Sequence, residues 1–144
     1  MYEYNCNIVK VVDGDTVDVD IDLGFGMWLK NERIRLYGID TPESRTRDPE
    51  EKQAGLYAKK VVQDYLPKNK PATLVTIKDK GGKFGRTLGM FKIKEKDDKW
   101  FYLHETMIKN HIGVEYHGQS KYDIDEQHMV NRRILKEKGL IWEV

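Results

Sequence analysis

A single cysteine, Cys6, rules out an internal disulfide, so a reducing compartment is tolerable. With no partner beside it, Cys6 reads as a half-buried strand residue rather than a nucleophile. Neither sign of charge is in excess: 25 basic and 24 acidic residues leave a net +1. Proteins that hold nucleic acid mainly by counterion release are strongly basic. Either the partner is not nucleic acid, or binding is local, transient and helped by a metal. No apolar run is long enough to cross a bilayer, so a membrane partner is not expected. The first ten residues lack the basic-then-apolar pattern of a secretory leader. The expected location is cytoplasmic, with secretion open if a leader has been removed. Repeats, linkers and low-complexity tracts are missing too. What is present, 39% hydrophobic and 34% charged residues over 144 positions, fits one globular domain, 1–144, with a real core.

The first forty residues read as strands. Ile8 to Val12, then Val17, Val19, Ile21 and Leu23, alternate with polar partners at a period of two. Asp13-Gly14 between them is a hairpin-turn signal. A third run, Glu32 to Ile39, ends at Thr41-Pro42, where proline cannot join a ladder. Asp48, Pro49 and Glu51 mark a helix start with a capping box. Ala54, Tyr57, Ala58, Val61, Val62 and Tyr65 then recur at helical spacing up to Leu66-Pro67. Ala72 to Ile77 and Thr87 to Ile93 read as strands, and Trp100 to Tyr102 as a short extension. A helix through Met107, Ile108 and Ile112 is expected to end at Gly113 as its C′ glycine. A last helix is expected from about Asp125 to Lys138, stopping at Gly139. Strands first and helices later indicate an α+β fold, with five strands closing an OB-type β-barrel and three helices packed on it.

Three segments carry candidate chemistry: Val12-Asp13-Gly14-Asp15-Thr16, Arg35-Leu36-Tyr37-Gly38-Ile39-Asp40-Thr41-Pro42-Glu43, and Lys83-Phe84-Gly85-Arg86. Asp15 falls at a turn exit and Asp40 where the third strand ends; if those strands pair, the two carboxylates converge. Two carboxylates about 4 Å apart repel by roughly 4 kcal/mol at an effective dielectric near 20. A hard cation with oxygen ligands relieves that repulsion, and Ca²⁺ accepts carboxylates, carbonyls and waters in irregular geometry. Glu43, three residues beyond Asp40, can face the same place and act on water. Arg35 and Arg86 supply permanent charge and forked donors suited to phosphate oxygens. Taken one at a time, each has a duller use: Asp15 can cap a turn, and Arg35 can pair with a carboxylate on a neighbouring strand. Together they are the parts of a metal-assisted phosphodiesterase.

In these segments the chain resembles the staphylococcal (thermonuclease-type) nuclease family, from about Asn7 to Trp142. Gln53-Ala54, Lys59-Lys60, Glu126-Gln127-His128 and Leu140-Ile141-Trp142 extend the likeness. The resemblance implies Ca²⁺ held by Asp15, Asp40 and the Thr41 carbonyl, with Asp13 holding a metal-bound water. It implies Glu43 as general base or water-orienting residue, and Arg35 and Arg86 on the scissile phosphate. Lys83 would reach a substrate phosphate, and Phe84 and Tyr116 would contact nucleotides. The expected activity is endonucleolytic cutting of DNA and RNA, single strands favoured, leaving 3′-phosphates, by a monomer. Phe84 stands where a tyrosine is usual, the place of a second nucleotide-contacting tyrosine falls near Gly118, and Gln53 replaces a glutamate, which implies a changed structural salt bridge.

Asp18, Asp20 and Asp22 imitate a calcium loop but lack the glycine and glutamate an EF-hand needs, since Leu23 and Leu29 stand there. They read as the solvent face of a strand. His104, His111, His117 and His128 fit no common zinc spacing, and His128 is expected to pack or hydrogen-bond near the last helix. Lys78, Lys80, Lys83 and Arg86 read as an approach track for a phosphate backbone. Two rivals stay open. One is a non-catalytic OB module binding single strands or a protein ligand. The other, a calcium-stabilised structural protein, leaves Glu43 and both arginines without a reason.

Overall fold

Period-two alternation builds the sheet, and its interruptions show where the backbone bulges. On β1 (Tyr2–Asp13) the inward residues are Cys6, Ile8 and Val11; a register shift between Ile8 and Lys10 puts Val11 back on the core face. β2 (Thr16–Gly24) turns Val17, Val19 and Ile21 inward, and β3 (Met27–Leu36) turns Ile34 and Leu36 inward. A short β4 (Ile39–Asp40) follows, then α1 (Pro49–Tyr65), β5 (Pro71–Ile77), β6 (Thr87–Lys94), β7 (Trp100–Tyr102), α2 (Leu103–Lys109), β8 (Val114–Glu115) and α3 (Lys121–Glu137). This is a computed structural model, and it describes residues 2–77 and 87–142.

The strands run in the order β3-β2-β1-β5-β6-β7, and β3 pairs again with β6, Ile34 to Leu36 lying parallel to Thr87 to Gly89. The result is a closed, mixed, five-stranded barrel with three helices, the expected α+β OB-type fold. Closure pairs the end of β3, Ile34 to Leu36, along both edges. Val17, Val19, Ile34, Leu36, Leu74 and Phe91 fill it, sealed by Ala58 and Val62 of α1 and by Leu103 and Met107 of α2. β4 and β8 form a separate two-stranded ladder. Among the described residues no helix is long and apolar enough to cross a membrane.

Several boundaries differ from expectation for local reasons. β3 begins at Met27 rather than Glu32, because a bulge opposite Asp20 and Asn31 at φ 52° break its period. α2 ends at Lys109, and His111, at φ 64°, takes the left-handed turn expected of Gly113. Gly113 is small for another reason: a Cβ there would lie 2.5 Å from Ile39 Cδ1. α3 starts at Lys121, with Ser120 Oγ accepting from the Asp123 amide at 3.2 Å. Asp48 does cap α1, accepting from the Glu50 and Glu51 amides, but Glu51 closes no capping box; the Asp48 amide donates to Thr46 Oγ1 instead. Cys6 is fully buried, not half-buried, and burial pushes its thiol up to about 12. Gln53 makes no salt bridge: it accepts from the Trp142 amide at 3.0 Å and donates to the Trp142 carbonyl at 3.4 Å, a pairing that needs an amide. Arg33 grips Asp18 at 2.9 and 3.1 Å and shields it, Asp20 accepts from the Asn31 amide, and Asp22 from the Gly24 amide; each has a structural use.

Candidate active site

The site forms where the β1–β2 turn, the end of β3, and the segment from β4 to α1 meet. Asp15 leaves the turn, and its carbonyl accepts from the Leu36 amide at 2.8 Å, locking the turn to the end of β3. Its carboxylate takes the Thr41 amide at 3.4 Å. β2 and β3 pair as expected, but Asp40 lies beyond β3, on β4, which pairs with β8. Arg35 brings them together. Its guanidinium lies 3.5 Å from Asp15 Oδ2 through Nη1 and 3.8 Å from Asp40 Oδ1 through Nη2, with Nη1 also donating to the Leu36 carbonyl at 3.0 Å. The duller expectation for Arg35, pairing with a nearby carboxylate, is thus also met, and the carboxylates are the two expected to hold a cation.

Glu43 is exposed, yet its carboxyl lies above its ordinary value of 4.5. Displaced hydration is the main cause, followed by the like charges of Asp13, Asp15, Asp40 and Glu51. All four acidic residues of the expected set therefore act on one locality. The Glu43 backbone is seated directly on α1 because Gly55 has no side chain: a Cβ there would lie 2.5 Å from the Glu43 carbonyl carbon and 2.7 Å from the Ser44 nitrogen. Asp13 Oδ1 accepts from the Gly14 amide at 3.1 Å, bracing the turn that carries Asp15.

The donors fit a hard cation in kind. They are all oxygens, among the described residues they outnumber the one guanidinium beside them, and Thr41 Oγ1 is buried without a partner. Among the described residues, no three His, Cys, Asp or Glu side chains could enclose a metal unaided. A cation at Asp15 and Asp40 would draw its remaining oxygens from the Thr41 carbonyl and from water.

Beside Arg35 opens a cleft of about 330 Å³ lined by Leu36, Tyr37, Gly38, Leu88, Tyr116 and His117. Tyr37 and Tyr116, each 45% exposed, line it with Arg35. Lys83, Phe84 and Arg86, with the rest of the basic stretch, lie outside the described residues.

Three further residues, none of them given a role in the site by the sequence, border it in the structure. Tyr37 reads in sequence only as a polar partner in an alternating strand. Gly55 reads as an ordinary helix residue. His128 is expected to pack or hydrogen-bond near the last helix, and it does both; its partner, which the sequence did not name, is Asp40, with Nε2 2.7 Å from Oδ2 across 88 residues of chain.

A family model described as staphylococcal nuclease homologue matches residues 33–143, a stretch that includes Arg35, Asp40, Thr41 and Glu43. A search of curated proteins returns no significant match.

Proposed function

The chain belongs to the staphylococcal nuclease homologue family, whose domain is a nuclease-type or nucleic-acid-binding module, and from that premise we propose that it is a Ca²⁺-dependent endonuclease hydrolysing phosphodiester bonds of DNA and RNA. The observation that carries this reading is the Arg35 guanidinium placed between Asp15 and Asp40 with Glu43 in their field. A structural ion pair needs one carboxylate; this constellation has four acidic groups, a forked donor and a cleft beside it.

In this reading Asp15, Asp40 and the Thr41 carbonyl would hold Ca²⁺, which supplies positive charge to phosphate oxygens and to a bound water. Asp13 braces the turn and would hold a metal-bound water. Glu43 accepts a proton from the attacking water, or orients it; its raised affinity for a proton suits a base. Arg35 donates both arms of its fork to the scissile phosphate and stabilises the charge that builds on it, as Arg86 would from outside the described residues. Water oxygen bonds to phosphorus, the bond to the 5′-oxygen breaks, and that oxygen leaves with a proton, giving a 3′-phosphate and a 5′-hydroxyl. Tyr116, Phe84 and Lys83 would hold the flanking nucleotide, a task that favours unpaired bases. The protein would act as a monomer in the cytoplasm, where low free calcium would restrain it.

The test is single-stranded DNA incubated with the protein and Ca²⁺, with and without a chelator. Calcium-dependent degradation that disappears in Glu43→Ala supports the assignment. DNA left intact but retarded in a gel assigns a non-catalytic binding module instead.

A further inference from the structure

Asp40 is held from two sides. Arg35 faces Oδ1 at 3.8 Å, while Oδ2 lies 2.7 Å from Nε2 of His128, a side chain buried by the packing of α3. With its proton on Nε2, the imidazole donates to the carboxylate. Nδ1 is then a bare buried nitrogen without a protein partner, which is less costly than an unpaired buried N–H. A short hydrogen bond from a buried, packed ring leaves the carboxylate little freedom to rotate. It also commits one oxygen and leaves the other facing Arg35 and the site.

α3 does not need this contact to dock. Asn131 Nδ2 donates to the Gly113 carbonyl at 3.2 Å, Arg132 reaches Asp48 at 3.2 Å and Glu51 at 3.6 Å, and Lys136 reaches Glu50 at 2.9 Å. These anchors hold the helix against α1 and β8 and make it a rigid support for the ring. A packing role is met by the helix as a whole; the aim of Nε2 at Asp40 is a separate feature.

We propose that His128 is a positioning residue for Asp40, presetting its carboxylate for the cation that the site would hold. The inference rests on the proposed function only through the role of Asp40 as a ligand. Groups that orient a ligating side chain typically contribute 10–100-fold in metal affinity.

The experiment measures Ca²⁺ binding by titration calorimetry, without substrate, for wild type, His128→Leu and His128→Gln. Leucine keeps the apolar bulk and removes the donor; the glutamine amide can donate to the same oxygen. We expect affinity to fall by about 10–100-fold in His128→Leu and to return to within a few-fold of wild type in His128→Gln. Thermal melting without calcium checks that both variants fold. If the leucine variant does not, His128→Asn, whose shorter amide falls short of Asp40, replaces it. Unchanged affinity in the leucine variant, or glutamine as weak as leucine, overturns the proposal. If wild type binds no calcium, the proposal falls with the metal assignment. If binding follows the prediction but DNA is not cut, positioning stands and the nuclease reading fails.

Discussion

Gly55→Ala adds one methyl group on the face of α1 that meets the Glu43 backbone, and should slow the chemistry without touching a charged group. The new Cβ would lie 2.5 Å from the Glu43 carbonyl carbon and 2.7 Å from the Ser44 nitrogen. Restoring an ordinary contact of 3.4 Å means a displacement of about 0.9 Å. Both atoms belong to backbone, so no flexible side chain can give way. Alanine gains roughly 1 kcal/mol in helix propensity, while overpacking costs about 1–3 kcal/mol. The net effect on stability is therefore small, a loss of about 1 kcal/mol. The effect on chemistry is larger, because a misplacement of about 1 Å can lower the rate by on the order of 10²-fold. Steady-state cleavage of a labelled single strand at saturating calcium reads kcat, and calorimetry reads calcium affinity. We expect kcat to fall by about 10²-fold with calcium affinity nearly unchanged, since Glu43 is moved and Asp15 is not. Full activity in a folded Gly55→Ala variant would refute the claim that the Glu43 backbone position matters.

Two further outcomes follow from the same geometry. Arg35→Lys keeps the charge but loses the fork, and kcat should fall by about 10²–10³-fold in the cleavage assay. Glu43→Gln should melt higher than wild type at pH 7 in chelator. The Glu43 carboxyl is raised above 4.5, so any stability it lends is present at low pH and lost as pH rises through its folded value. Glutamine has no such loss, and the gap between the melting curves should close as pH falls through the carboxylate range.

The barrel was legible in sequence because its core obeys a simple period: Val17, Val19 and Ile21 face inward on β2, and Ile34 and Leu36 on β3. What escaped is non-local or conformational. The start of β3 is hidden by a bulge and by Leu23, Phe25, Met27 and Trp28, apolar residues left exposed around the hairpin tip. The end of α2 falls at a histidine in a left-handed conformation, a use sequence reading assigns to glycine. Within the site, Asp15, Arg35, Asp40, Thr41 and Glu43 stood out because two short segments carry them all. Gly55 could not, and for His128 the sequence foresaw packing or a hydrogen bond but not Asp40 as its partner, since what α1 and α3 touch is settled only by folding. One signal was available for His128: residues 128, 131, 132 and 135 form the buried stripe of α3, and an imidazole there needs a partner.

Where a divalent ion binds decides the assignment of Asp15, Asp40 and Thr41. Diffraction from crystals grown with Ca²⁺ and a cleavage-resistant single-stranded oligonucleotide should show one ion about 2.3–2.6 Å from carboxylate oxygens of Asp15 and Asp40 and from the Thr41 carbonyl. The Arg35 guanidinium should then lie on a phosphate oxygen of the strand. An ion bound elsewhere, or a phosphate held away from Arg35 with Asp15 and Asp40 still paired to it, would contradict the account.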